Sequence, residues 1–282
     1  MHCECCELLK VSIVTISYNQ RKFLERTILS VLNQDYPNIE YIVVDPGSTD
    51  GSRELIDQYG SNISKTIFEA DQGPADGLNK GFKNSQGAVL AFLNSDDVLH
   101  PGATSAAVRF LRARPGTDVV SGNAEIIDKD DRVLRRTFSD RMSTRKYVYG
   151  AVTIIQPSTF FTRIAFEKTA GFNVMNRVSW DAELFLDMAI AGCNFGLSNE
   201  IWSGYRLHAG TITTSRNLAQ ARKEIDDQHF RRVIGRNRLW IDDRISTILR
   251  VWKHLTNPRD TAERLIRGPI AGRTVSESTE RH

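Results

Sequence analysis

Two hydrophobic periods alternate along the first third of the chain. Val11 to Ile16 and Ile39 to Val44 are short, β-branched, largely apolar runs, the pattern of strands buried in a sheet. Between them, Phe23, Leu24, Ile28, Val31 and Leu32 recur at steps of three and four, which predicts a helix from Arg21 to Asn33 with one apolar face. Tyr36, Pro37 and Asn38 break that helix, and Asp45, Pro46 and Gly47 close the second strand before another helical stretch from Ser48 to Tyr59. A third strand is expected near Lys65 to Phe68, a helix through Asn79 and Phe82, a strand from Ala88 to Leu93, and an Ala-rich helix from Pro101 to about Arg112. Strand and helix in alternation favour a parallel sheet covered by helices, with ligands bound at the carboxyl ends of the strands.

The second half is less regular. Asp118 to Val120 and Glu125 to Ile127 read as two short strands, and Ile154 to Phe161 as an apolar run interrupted by Gln156 and Pro157. A helix follows Trp180 and Asp181 and stops at Gly192. Beyond Ser215 the chain turns helical and basic, with Arg222, Lys223, Arg231, Arg232, Arg236 and Arg238 ahead of an amphipathic stretch from Ile241 to Leu255. Residues 268–282 read as a frayed tail.

Composition narrows this picture. A chain of 282 residues holds one main domain with an appended arm more readily than two full domains. The expected division is a tail over 1–10, a domain over 11–215, a basic helical arm over 216–267 and a tail over 268–282. No run approaches the apolar length of a membrane span, and Met1 to Lys10 lacks the basic start and apolar core of a secretory signal, so a cytoplasmic protein is expected. Cys3, Cys5, Cys6 and the distant Cys193 offer no second paired motif for structural zinc and are expected as reduced thiols. A net charge of +3 is too small to imply a nucleic-acid partner.

Three strand ends carry aspartate: Asp45, Asp71, and Asp96 with Asp97. Adjacent carboxylates after a buried strand repel one another and lose hydration, so they call for a cation or for hydrogen-bond donors. Oxygen ligands suit Mg²⁺ or Mn²⁺, with substrate phosphates and water completing the shell. The alternative is that Asp96 and Asp97 cap the helix after Pro101. Asp45 is open to the same choice between turn former and ligand, its carboxylate being able to accept from a nucleobase imide. Asp181 opens a helix, where a negative charge also suits the dipole.

Set in order, the segments VSIVTISYNQ, SVLNQDYPNIEYIVVDPGSTDGS, EADQGPADGLNKG, AFLNSDDVLHPG and QPSTFF resemble the family 2 inverting glycosyltransferases, closest to bacterial members that build surface polysaccharides. The match covers roughly three-quarters of the chain. It implies the GT-A fold, a Rossmann-like α/β domain with a mixed sheet flanked by helices, here followed by a C-terminal helical arm. It implies a nucleotide-diphosphate sugar donor, UDP or dTDP before GDP, and a glycan or lipid-linked acceptor. Ser17, Tyr18, Asp45 and Asp71 would then meet the nucleotide, with Asp76 and Asn79 near the diphosphate or sugar. The family's Asp-x-Asp metal motif falls on Asn94, Ser95 and Asp96, leaving Asp96 as chief ligand of Mn²⁺ or Mg²⁺, while Asn94 can accept from the ribose or reach the metal through water. His208, in YRLHAGTITT, resembles a position near the diphosphate and is open to a structural role as well.

By the same resemblance Asp181 is the expected base that takes the acceptor's proton, with Glu183 as second candidate. Gln156, Pro157 and Ser158 resemble an acceptor-side loop, although Gln156 could equally satisfy backbone groups in a buried turn. The basic C-terminal helices either touch an anionic membrane or present a solvated face with their apolar side packed on the domain. Asn94 and Trp180 at motif positions leave room for a nucleotide-sugar-binding protein without catalysis. A dinucleotide-dependent oxidoreductase is disfavoured, because Tyr18 and Asn19 stand where a glycine-rich turn would follow the first strand.

Overall fold

In the computed structural model, which describes residues 8–208 and 218–268, the first apolar run forms β1 (Val11–Ile16), followed by α1 (Arg21–Leu32), β2 (Ile39–Val44), α2 (Ser52–Gln58), β3 (Lys65–Ile67), α3 (Pro74–Lys83) and β4 (Val89–Asn94). The four strands are parallel in the order β3-β2-β1-β4, with Ile13 beside Tyr41 on one flank and Ala91 on the other. Their side chains are nearly all buried because helices cover both faces. Leu24, Ile28 and Val31 of α1 and Leu55 of α2 close one core. Leu78 and Phe82 of α3 close the other.

The alternation ends after β4. A two-residue strand β5 (Val98–Leu99) and α4 (Ala103–Ala113) lead to β6 (Val119–Ile127) and β7 (Val133–Thr137). After α5 (Thr144–Val148) and one 3₁₀ turn over Gln156–Ser158 come β8 (Thr159–Thr162), α6 (Arg163–Glu167), α7 (Trp180–Ile190) and β9 (Phe195–Arg206). Strand β8 runs antiparallel to both β4 and β6, β9 runs parallel to β6, and β5 and β7 pair antiparallel at β9 and β6. The sheet is therefore mixed, with nine strands. A wholly parallel sheet, the expectation from alternation alone, describes only its first half.

The two short strands expected around residues 118–127 are one continuous strand. Its polar middle is buried against tertiary partners: Ser121 Oγ meets Thr159 Oγ1 at 2.9 Å, and Asn123 Oδ1 accepts from Ser139 N at 3.1 Å. At Gly122 a Cβ would lie 2.5 Å from the Trp202 ring of β9, so only glycine permits that packing.

The basic arm is α8 (Ala219–Ile234), α9 (Trp240–Thr256) and α10 (Pro258–Arg267). Phe230 of α8 packs with Val148, Tyr149 and Leu186 in a small third core that joins the arm to α5 and α7. Three helices stand where two were expected; Pro258 at the start of α10 and the Asn257 side chain, which accepts from Asp260 N, divide the last two. The N-terminal cysteines Cys3, Cys5 and Cys6, the expected boundary at Ser215 and residues 269–282 lie outside the described residues. Cys193 is a buried free thiol.

Candidate active site

The loops leaving β1, β2 and β4 open on one cleft of about 990 Å³. One side is built from two turns fastened to each other. Asn19, in a left-handed conformation, donates its N–H to Ser48 Oγ and accepts from Thr49 N. Asp45 is fully buried beneath its own turn, where Oδ1 accepts from Gly47 N at 3.0 Å and Ser48 N at 2.8 Å, while Oδ2 accepts from Ser48 Oγ. Arg53 adds an ion pair at 3.2 Å. In this structure Asp45 forms its own turn with both oxygens engaged, and Pro46 and Gly47 line the cleft beside it. Tyr18 is exposed at 62% and lies on the same wall. Ser17 is buried below it with Oγ lacking a protein partner.

Asp71 lines the cleft between β3 and α3. Its Oδ1 accepts from Gly73 N at 2.8 Å, and burial raises its carboxyl above the ordinary range. It can press this close to α3 because residue 77 is glycine, where a Cβ would stand 2.9 Å from Asp71 Oδ2. Asn79 does not reach the cleft. Its amide bridges the backbone of Phe172, donating to O at 2.8 Å and accepting from N at 2.9 Å, so it fastens α3 to the loop before α7. Asp76 likewise accepts from Gln72 N and pairs with Lys80, outside the cleft lining.

The floor is the Asn94–Asp97 turn at the end of β4. Asp97 N donates to Asn94 O at 3.1 Å, and Asn94, Ser95, Asp96 and Asp97 all line the cleft. Neither aspartate caps the next helix, which begins at Ala103 with Gly102 as its cap. Asp97 is buried, its Oδ1 accepts from Arg206 N at 2.8 Å, and its Oδ2 has no protein partner. Burial first, and the neighbouring Asp96 charge second, raise the Asp97 carboxyl well above the usual range. Asn94 Nδ2 reaches Gln156 Oε1 at 3.3 Å, Gln156 Nε2 donates to Phe92 O at 2.7 Å, and Asn94 Oδ1 is left buried without a partner. Gln156 thus satisfies a backbone carbonyl in a buried turn and, with Pro157, also lines the cleft.

The end of β9 meets this turn from the other half of the sheet. Arg206, fully buried, donates Nε to Asp96 O at 2.6 Å and NH1 to Asp128 O at 2.7 Å, pairs with Asp131, and lies over the Phe23 ring. Two residues on, His208 Nε2 is 3.1 Å from Asp96 Oδ2, and its ring rests on Phe23 at 4.7 Å. Arg206 escaped the sequence reading; an arginine two residues before a candidate ligand was the one available signal.

On the wall made by α7, Asp181 lines the cleft and burial raises its pKa. The neighbouring Trp180 Nε1 and Ser179 Oγ are buried without protein partners. Glu183 is turned away from the cleft. It accepts from Asn173 and Asn176 and faces Arg232 at 3.6 Å, bracing the loop and arm around α7. Arg177 and Arg222 also line the cleft.

Among the described residues no cluster of three or more His, Cys, Asp or Glu side chains converges as a closed metal site. Asp96 and His208 nevertheless fit an open one. Neighbouring ligands at about 2.1 Å from one octahedral ion stand roughly 3 Å apart, close to the 3.1 Å observed. The cleft lining sets the carboxyls of Asp71, Asp96, Asp97 and Asp181 against the guanidiniums of Arg177 and Arg222, and a divalent cation at Asp96 would add to the positive charge facing a diphosphate.

The family model for glycosyl transferase family 2 matches residues 12–170. An uncharacterized glycosyltransferase of Nostoc sp. is 36% identical over 129 residues, covering 45% of this chain and 40% of that protein, so the chain spans well under half of that relative. The putative teichuronic acid biosynthesis glycosyltransferase TuaG of Bacillus subtilis is 28% identical over 236 residues, 78% of this chain and 90% of TuaG. Among solved structures, S. aureus TarS 1-349 in complex with UDP-GlcNAc is similar with a TM-score of 0.60 at 13% identity, over 92% of this chain and 78% of that one. The mannosyltransferase PcManGT of Pyrobaculum calidifontis, in complex with GDP-Man and Mn²⁺, gives 0.62 at 18% identity, over 96% and 78%. These likenesses show the GT-A fold, and the match across more than half of the sequence shows the family: the chain belongs to glycosyltransferase family 2.

Proposed function

We propose that this protein is an inverting glycosyltransferase that moves a sugar from UDP or dTDP to a hydroxyl of a glycan or lipid-linked acceptor in surface polysaccharide synthesis. The observation that carries the reading is the meeting of Asp96 and His208, 112 residues apart in sequence, on the floor of a cleft that also exposes Asp181. The name of TuaG supports the polysaccharide setting, and the neighbours bound to UDP-GlcNAc and to GDP-Man support a nucleotide-diphosphate sugar donor, of which the uridine or thymidine form follows from the sequence resemblance.

In this reading the fastened turns at Asn19 and Ser48 hold Tyr18, Pro46 and Gly47 as a rigid nucleotide wall, and Asp71 lies beside them. Asp96 and His208 would hold Mn²⁺ or Mg²⁺, which when bound supplies Lewis-acid stabilisation of the departing diphosphate. The acceptor oxygen attacks the anomeric carbon from the face away from the nucleotide, its proton passes to an Asp181 carboxylate oxygen, and the bond to the diphosphate oxygen breaks with its electron pair. Burial suits Asp181 to that task, because a raised pKa makes its carboxylate a stronger base. Trp180 and Ser179 line the same wall beside Asp181, with Nε1 and Oγ buried and without protein partners.

Nucleotide release and sugar transfer measured for UDP-, dTDP- and GDP-sugars, with and without Mn²⁺, test the proposal, and proton NMR of the product reports its anomeric configuration. Turnover of a uridine or thymidine donor with inversion is expected. Retention would remove Asp181 as base, and a panel in which no donor is bound or cleaved would sink the reading. Binding without turnover would favour a catalytically inactive nucleotide-sugar-binding protein, the alternative raised by Asn94 and Trp180.

A further inference from the structure

Much of the apolar surface of α9 faces solvent. Its inner face packs Ile245 and Leu249 on the third core and is otherwise polar: Asp242 accepts from Tyr149 OH and Arg236, Ser246 Oγ donates to Tyr149 O, and Lys253 reaches Thr153 and Asp140. The outer face carries Trp240, Ile248, Val251, Trp252 and Leu255, with Trp240 at 71%, Ile248 at 66% and Leu255 at 70% exposure. At about 100° per residue these fall within an arc of roughly 120°, and Arg244 lies inside it. Arg244 stacks over the Trp240 ring at 5.5 Å. The acidic residues of this helix, Asp242 and Asp243, point off the arc. On α10, Leu265 and Ile266 are also exposed, at 81% and 80%.

We infer that α9 lies in the plane of an anionic lipid surface. An exposed apolar stripe with tryptophans and one arginine, whose long side chain can reach out past the apolar groups, is an arrangement that buries side chains among acyl chains while bringing a cation to phosphate level. No helix among the described residues is long and apolar enough to cross a membrane, so the contact is lateral. A second copy of the chain fits less well, because the stripe has no carboxylate to receive a partner's Arg244, which would be buried unpaired. The position serves the acceptor side of the site. Lys253, on the inner face, bonds Thr153 in the cleft lining, so the stripe stands about one helix diameter, 10–12 Å, from the cleft wall. A lipid-linked acceptor held at such a surface would be presented to Asp181; in this respect the inference rests on the proposed function.

The full chain is mixed with vesicles of phosphatidylcholine alone and of phosphatidylcholine with phosphatidylglycerol, then sedimented, with tryptophan emission recorded. Binding to the anionic vesicles with a blue shift is expected, and the double variant Ile248→Glu/Leu255→Glu should weaken it by about tenfold or more. Both side chains are exposed, so circular dichroism and donor hydrolysis should match the wild type. Loss of hydrolysis in the wild type itself would count against the proposed function and leave the vesicle result to stand alone. Equal, negligible binding to both vesicle types overturns the inference, as does a wild-type dimer in analytical ultracentrifugation that the double variant dissociates.

Discussion

Replacing Arg206 with methionine tests whether the two halves of the sheet are joined at the active site by one side chain. Methionine keeps the aliphatic stem as far as the Nε position but removes the guanidinium, and with it every side-chain donor and the contact over Phe23. The carbonyls of Asp96 and Asp128 lose partners at 2.6 and 2.7 Å. Leaving each buried acceptor unpaired costs about 1–3 kcal/mol. Asp131 is partly exposed and keeps Arg26 at 2.8 Å, so its loss adds less than about 1 kcal/mol. No longer burying a cation offsets part of this, which leaves a net destabilisation of about 2–4 kcal/mol. Urea unfolding followed by tryptophan fluorescence measures it. Because the same guanidinium fixes the Asp96 carbonyl, affinity for UDP with Mn²⁺, measured by calorimetry, should fall about tenfold or more even where the variant is fully folded. An unfolding free energy within about 1 kcal/mol of wild type, together with unchanged calorimetry, would refute the account of Arg206 as the clamp on this turn.

Asp181→Asn should reduce transfer by about 10²–10⁴-fold while leaving UDP affinity within about twofold, since the carboxylate is assigned to the acceptor's proton and not to the nucleotide; transfer at the wild-type rate would eliminate it as base. In the wild type, burial raises the Asp181 pKa, and the base works deprotonated, so kcat should climb with pH through a limb displaced above the ordinary carboxylate range. A limb at the ordinary carboxylate value, or its persistence in Asp181→Asn, would contradict that assignment. Asn94→Asp adds a third carboxylate beside Asp96 and Asp97 and forfeits the donor to Gln156. Its Mn²⁺ affinity should rise about tenfold by calorimetry, while the ion-free protein should lose about 1–2 kcal/mol at neutral pH. The added carboxyl would have a raised pKa in the folded state, so this loss should grow as pH rises through its unfolded value and vanish in acid; equal urea midpoints for both proteins at pH 4 and pH 7 would count against it.

The parallel half of the fold was legible because each of its strands is a buried apolar run bounded by turn residues. The bounds read from the sequence for β1 and β2 coincide with those observed. The mixed half was not, because its regularity depends on partners that a linear pattern hides. Strand β9 passes through the polar Ser198, Asn199 and Glu200, and β6 through the buried Ser121 and Asn123, which are bonded to the Thr159 hydroxyl and the Ser139 N–H. The site divides in the same way. Motif spacing placed Asp71, Asp96 and Asp181 at one cleft, yet a residue type at a strand or helix end does not say which way its side chain turns. Asn79 spends its amide on Phe172, Glu183 is taken up by Asn173, Asn176 and Arg232, and Asp45 holds its own turn. Arg206 belongs to no motif and became visible only when β9 met β4. For the arm, the amphipathic period was plain in the sequence, but which face would be covered depended on the third core receiving Ile245 and Leu249 and on Tyr149 and Thr153 offering polar contacts to α9.

The seam between β4 and β9 also sets an order of events for a chain being synthesised. By the time β4 has emerged, the parallel unit has its helices and a core on either side, and this local, low-separation structure can form early. Asp96 is present then but unclamped, since Arg206 and His208 lie 110 and 112 residues further along. The clamp on this turn therefore waits for the long-range pairing of β9 with β6, the kind of contact that forms slowly. A product truncated before β9 would contain the fastened turns at Asn19 and Ser48 and the Asn94–Asp97 turn, but neither Arg206 nor His208 to hold that turn in place.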